Sequence, residues 1–170
     1  RFEDGDNVYL GALAPHGESP AWYAALKTQV TLSEARHVYD VRAGKYLGRT
    51  TQIEPVFAND ATARLYACLP YRATGLDVIP PARAQARGDV VVFNITLRAD
   101  GRPGRHVFRV EVWNPAGESV PKYNYNFEAP AGTGAGRVFL ALNDPPGEWR
   151  VRCTDTATGL SAEVKFTVTP

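Results

Sequence analysis

Polar and apolar positions alternate most regularly between His106 and Gly159. In Val107–Trp113, Phe108, Val110 and Val112 fall on one side, with Arg109 and Glu111 on the other. In Glu148–Asp155, Trp149, Val151 and Cys153 share a side while Arg150 and Arg152 point to water. A period of two is the mark of a half-buried strand. The Pro, Gly, Asn and Asp clusters between such runs predict consecutive antiparallel strands of a β-sandwich. Upstream, Gly88–Leu97 sets Val91, Phe93, Ile95 and Leu97 against Val90, Val92 and Asn94. Downstream, Ser161–Thr169 closes the series as a last alternating strand.

The first part of the chain is patterned more loosely. Glu3-Asp4-Gly5-Asp6-Asn7 reads as an exposed turn leading into a strand at Val8–Leu13. Its carboxylates lack the later ligands and terminal glutamate of a helix–loop–helix calcium site. Pro15–Pro20 is a loop by composition, and Ala21–Leu32 predicts a short helical turn followed by a strand. Val38–Val41, the turn Arg42-Ala43-Gly44-Lys45 and Tyr46–Leu47 predict a hairpin, with Gly44 where a positive φ is wanted and Gly48 ending or bulging the return strand. In Ala63–Leu69, Leu65, Ala67 and Leu69 alternate with Tyr66 and Cys68, and only a strand buried on both faces accommodates them all. Pro70–Asp77 marks a boundary, which divides the chain into a β-rich domain over residues 1–75 and a sandwich over 76–170. The fold class expected is all-β, with two antiparallel β-sandwich modules.

Composition supports a folded chain without pointing to a polyanionic partner. Of 170 residues, 44% are apolar, enough for a sizeable core. The net charge of +1 splits into eight basic and nine acidic residues through Asp77 and eleven and nine beyond it. That balance argues against nucleic acid, and no apolar run approaches a membrane span. The chain starts at Arg1 and contains no methionine, which leads us to expect a fragment of a longer protein. Cys68 and Cys153 are expected to be small buried hydrophobes.

Candidate chemistry is sparse. His16, His37 and His106 stand apart from one another, and none has metal-ligand spacing to another His, Cys or carboxylate. Structural roles are expected for His37 and His106, which begin strands. Ser19 and Ser119 lie in no nucleophile elbow. No catalytic residue, metal site or cofactor is therefore expected, and most acids fall at turns or outward positions where solvation accounts for them. The aromatic residues are more suggestive. Tyr123-Asn124-Tyr125-Asn126-Phe127 places three rings on one strand face and asparagines on the other, and Trp22-Tyr23 and Trp113 add to them. Flat rings beside amides suit a sugar surface, whereas rings in cores pack. Trp22, Trp113, Tyr123 and Tyr125 are the ligand-binding candidates. Asn94-Ile95-Thr96 matches a glycosylation sequence but falls inside an expected strand.

Two stretches carry a family resemblance. Val112-Trp113-Asn114-Pro115-Ala116-Gly117, then Gly147-Glu148-Trp149-Arg150-Val151, Asp155 and Thr158-Gly159 fit a recurring pattern. The segment Leu76–Val168 on this basis resembles immunoglobulin-like modules related to macroglobulin and bacterial surface domains. HVYDVRAGKYLG and ARLYACLPYRATGL, in turn, look like the β-domain that follows the catalytic barrel of large bacterial glycoside hydrolase-like proteins. In such proteins the catalytic acids lie upstream, and no position here matches them. The resemblance implies a non-catalytic accessory or spacer region of a larger, exported bacterial protein, with upstream domains of the parent chain as partners and an extracytoplasmic location. Two alternatives stand beside it. One is a carbohydrate-binding module that takes polysaccharide on its aromatics, and the other is an adhesion or protein-assembly module.

Overall fold

The computed structural model describes residues 1–13, 28–57 and 63–170. Of the short helical turn and strand expected over Ala21–Leu32, residues 21–27 lie outside the described residues, as do His16 and Trp22. The all-β expectation holds: the described residues form thirteen strands, with short 3-10 turns at Pro121–Tyr123 and Pro130–Gly132. The chain divides into two compact units, one of Arg1–Arg72 and Ala157–Gly159 and the other of Ala73–Thr156 and Leu160–Pro170.

The described strands of the first unit form one antiparallel sheet in the order β1-β2-β5-β3-β4. These are β1 (Phe2–Asp4), β2 (Asn7–Leu13), β3 (Val30–Asp40), β4 (Lys45–Ile53) and β5 (Ala63–Leu69). The acidic turn at the start is thus the tip of a β1–β2 hairpin. Tyr66, Ala67, Cys68 and Leu69 are all buried while Leu65 is exposed, so burial on both faces holds for the second half of β5. Tyr66 and Cys68 join Val8, Val38 and Ile53 in one core cluster. Gly44 takes φ +58° at the hairpin turn. Gly48, at φ +110°, marks a bulge rather than an end: Val38 pairs with Gly48 but Tyr39 with Tyr46, so Leu47 is the extra residue.

The second unit is a sandwich of two sheets. Its strands are β6 (Ala73–Ile79), β7 (Gln85–Ala86), β8 (Val90–Ala99), β9 (His106–Trp113), β10 (Tyr125–Ala129), β11 (Thr133–Phe139), β12 (Gly147–Asp155) and β13 (Ser161–Thr169). One sheet runs β10-β9-β12-β13-β7 and the other β11-β8-β6. Two features correct the expectation of consecutive antiparallel pairing. β11 leaves its sequence neighbours and pairs with β8 in the smaller sheet, and β7 pairs with β13 in parallel. Alternation fixes the inward faces as read: Val91, Phe93, Ile95 and Leu97 on β8 meet Phe108, Val110 and Val112 on β9 and Trp149, Val151 and Cys153 on β12, all buried. The Trp149 indole N–H donates to the Pro145 carbonyl at 3.0 Å, so this large core ring leaves no unsatisfied donor.

The crossing from β10 to β11 is made at Pro130–Gly132, where Ala131 at φ 54° and Gly132 at φ 67° are both left-handed. On β11 two of the three inward positions, Gly134 and Gly136, are bare, and Val138 fills the third. A Cβ on Gly136 would lie 2.0 Å from Cε2 of buried Phe93, and one on Gly134 would lie 2.7 Å from Cε2 of Phe127. Rings from β8 and β10 therefore lie directly against the backbone of β11. Gly136→Ala should cost about 1–3 kcal/mol through overpacking, visible as a lower midpoint in chemical denaturation. Ala131→Gly should do the opposite and raise stability by about 1 kcal/mol, because Ala131 is exposed and its φ is unfavourable for a residue with a Cβ.

Candidate functional site

The predicted aromatics do not form a single surface. Trp22 lies outside the described residues. Trp113 ends β9 on the outward face, and the guanidinium carbons of Arg150 and Arg152 sit 4.5 and 5.2 Å from its ring centroid. This follows from the register, since Trp113 pairs with Arg150 across β9 and β12. The ring is covered by cations of its own sheet.

Tyr123 and Tyr125 do come together. Tyr123 belongs to the 3-10 turn preceding β10 rather than to the strand, which corrects the expectation of three rings on one strand face. Tyr125 pairs with Val110 and Phe127 with Phe108, so both rings share the inward side of β9. They are half-buried because β10 is the edge of its sheet, and beside it runs β11, an edge of the other. Between the two edges lies an open groove of about 440 Å³ whose walls include Tyr123, Tyr125, Phe127, Lys122, Arg137 and Phe139. The Tyr125 and Phe127 centroids are 5.9 Å apart with 35° between the planes. The edge of Phe127 meets Phe108 at 5.8 Å and 76°, which ties the floor of the groove to the core. Phe139 is 64% exposed.

Hydrogen bonds hold this arrangement in place. The Tyr125 hydroxyl accepts the Arg137 backbone N–H at 2.5 Å, so one ring bridges the two sheet edges. Burial pushes the Tyr125 phenol up, with the Arg137 backbone bond acting the other way, and so the hydroxyl keeps its proton at neutral pH. The Tyr123 hydroxyl donates to Asp144 at 2.5 Å and accepts the Ala141 N–H at 3.0 Å. Asp144 also accepts from Ala141 N at 2.8 Å and from Lys122 at 3.3 Å. Asn124 does not face a ligand: its side-chain oxygen accepts the Val112 N–H at 2.9 Å.

The two described histidines and both cysteines are taken up by the fold. His106 Nδ1 lies 2.8 Å from Asp155 Oδ1, and both side chains are fully buried. His37 Nδ1 lies 2.7 Å from the Tyr46 hydroxyl, with the rings stacked. Cys68 and Cys153 are free thiols, and burial pushes them up to about 11 and about 12 respectively, with Arg36 partly opposing the shift at Cys68. Among the described residues no group of three His, Cys, Asp or Glu could share a metal ion. Sequence reasoning missed Asp144 and Asp155 as buried acids. The local signal for Asp144 was the Leu142-Asn143-Asp144-Pro145-Pro146 run, a turn in which a carboxylate can take a backbone N–H.

No family model matches the sequence, and neither does any curated protein. Among solved structures, a β-glucosidase from Listeria innocua matches with a TM-score of 0.39 and 15% identity, over 58% of this chain and 16% of that one. A β-glucuronidase from Ruminococcus gnavus in complex with uronic isofagomine matches with a TM-score of 0.32 and 11% identity, over 98% of this chain and 36% of that one. The chain thus spans little more than a third of the longer match's partner and less of the other. At these scores the likeness carries no argument about activity.

Asp144 gives the site a pH dependence. Burial pushes its carboxyl up, but hydrogen bonds from Tyr123, Ala141 and Lys122 outweigh this and hold it below the ordinary value. A depressed carboxyl contributes stability that is present above its unfolded value, about 3.9, and is lost as pH falls through the folded one. Asp144→Ala should therefore cost about 2 kcal/mol at pH 7 by leaving the Tyr123 hydroxyl proton without its acceptor and removing one of the two acceptors of Ala141 N–H. The gap to wild type should narrow in thermal melts as pH falls below the unfolded carboxyl value and through the lower folded one, where the native carboxyl also takes up its proton.

Proposed function

We propose that this chain is a non-catalytic accessory region of a larger, exported bacterial protein, a glycoside hydrolase-type protein in particular, in which it spaces or orients the catalytic part. The observation that carries this reading is that the acid–base groups best placed for chemistry are locked inside the fold. A His–Asp pair with no solvent exposure at either side chain cannot meet a substrate, and it serves to join β9 to β12. The second unit is read as immunoglobulin-like. Its β11-β8-β6 sheet facing β10-β9-β12-β13 follows the order in which such domains set A, B and E against C, F and G. The boundary at residues 75 and 76 and the extracytoplasmic location belong to the same reading.

A second reading is favoured by the groove. Half-buried rings of Tyr123, Tyr125 and Phe127, backed by the core and open to solvent between two sheet edges, form a surface on which a saccharide can stack. Here the module would bind polysaccharide and hold its parent near the substrate.

The test of the first reading is turnover of aryl-glycosides and aryl esters by the purified chain. No turnover above buffer is expected, and activity abolished by a single substitution within the chain would overturn the reading. The second is tested by affinity electrophoresis in gels containing plant, algal and bacterial polysaccharides. Retardation lost in Phe139→Ala, an exposed position with little part in stability, but kept in Trp113→Ala would place the sugar in the groove. Equal mobility in every gel would remove the binding reading and leave the accessory role.

A further inference from the structure

Resting on the carbohydrate reading above, we propose that the groove between β10 and β11 takes an acidic saccharide and holds a uronic-acid carboxylate between the Arg137 guanidinium and the Tyr125 hydroxyl.

The argument is a census of hydrogen-bonding capacity along the groove. Tyr123 is fully engaged, donating to Asp144 and accepting from Ala141. Asp144 is buried and already accepts from Tyr123, Ala141 and Lys122. Lys122 lies against that carboxylate and over the Tyr123 ring at 4.6 Å. Two donors remain. The Tyr125 oxygen accepts the Arg137 backbone N–H and still has its own proton to give. The Arg137 side chain is exposed and forms no ion pair with a carboxylate among the described residues. The Tyr125 hydroxyl is bonded to the backbone of the residue that carries the guanidinium, and both residues line the same groove.

The side chains left over at such a site are donors, with no free side-chain acceptor among them. A neutral sugar brings hydroxyls that must both give and receive, whereas a carboxylate only receives and matches the planar fork of arginine. The neighbouring Tyr125, Phe127 and Phe139 rings supply the apolar wall against which the C–H face of the same sugar would rest. Stacking rings beside a cation also suit single-stranded nucleic acid, but that ligand needs a track of positive charge along its backbone. Arg137 and the partly engaged Lys122 are the two cations lining the groove, and the chain carries a net charge of only +1.

The test is affinity electrophoresis and calorimetric titration with polygalacturonate and alginate. Methyl-esterified polygalacturonate, neutral galactan, dextran sulfate and oligothymidylate serve as comparisons. Arg137→Gln is the probe. Arg83→Gln is the charge-matched control, since Arg83 lies just before β7, at the opposite edge of the five-stranded sheet from β10. Circular dichroism melts confirm that both variants fold.

Retention by the acidic polymers, weakened about tenfold in Arg137→Gln and unchanged in Arg83→Gln, with none in the methyl ester, is the expected result. Equal retention of neutral and acidic polymers, or full retention of Arg137→Gln, overturns the carboxylate assignment while leaving a sugar groove. Equal or stronger binding of dextran sulfate or oligothymidylate overturns it in favour of a general polyanion site. No retention in any gel overturns both this inference and the carbohydrate reading beneath it.

Discussion

In the second unit the decisive constraint is the absence of side chains at two inward positions of β11. Inward residues on a sandwich strand normally carry the packing, yet Gly134 and Gly136 give up their places to Phe127 and Phe93. The core at this edge is thus filled from β8 and β10 onto a bare backbone, as close packing demands when no space remains for a Cβ. Several features follow from that approach. β10 is drawn near enough to β11 for the Tyr125 hydroxyl to reach the Arg137 amide, and the groove forms where the two sheet edges meet without pairing. The connection between them accepts a left-handed non-glycine residue at Ala131.

Tyr123 shows how a small polar network can set the position of a large ring. Asp144 and Ala141 are bonded reciprocally: the Asp144 amide donates to the Ala141 carbonyl while its carboxylate accepts the Ala141 amide. The same carboxylate fixes the Tyr123 hydroxyl, and the ring then leans on Trp149 at 6.1 Å. A loop after β11, a turn before β10 and the core of β12 are thereby joined through one acid. Burial without such partners would leave that acid strongly disfavoured.

How much could be read from the chain depended on whether an interaction was local. Alternation placed Phe108, Val110, Val112, Trp149, Val151 and Cys153 inside, because a strand's two faces are written in its own sequence. It also marked β5 as a strand buried on both faces, since its apolar residues fall on both parities. Partners are not written there. Nothing in Thr133–Phe139 says that it pairs with β8 instead of β10, and nothing in Gln85–Ala86 foretells a parallel pairing with β13. The pairing of Asp155 with His106 was not legible, because the two lie far apart in sequence. The aromatic run was legible as a cluster, but the 3-10 turn at Pro121–Tyr123 rotates Tyr123 off the strand, and the cations over Trp113 come from β12.

Each unit carries one cysteine in its interior, and both thiols are held protonated far above the pH at which labelling reagents are used. Thiolates are the nucleophiles that attack maleimides and thiol-directed nitroxide reagents, so two buried, protonated thiols react poorly with them. A single cysteine introduced at an exposed site would then be the one reactive handle on an otherwise unmodified chain. Spin labels or fluorophores could be attached one per unit without first removing Cys68 or Cys153 and opening cavities in two cores. The burial that makes these sulfurs useless for chemistry leaves the surface free for measurement.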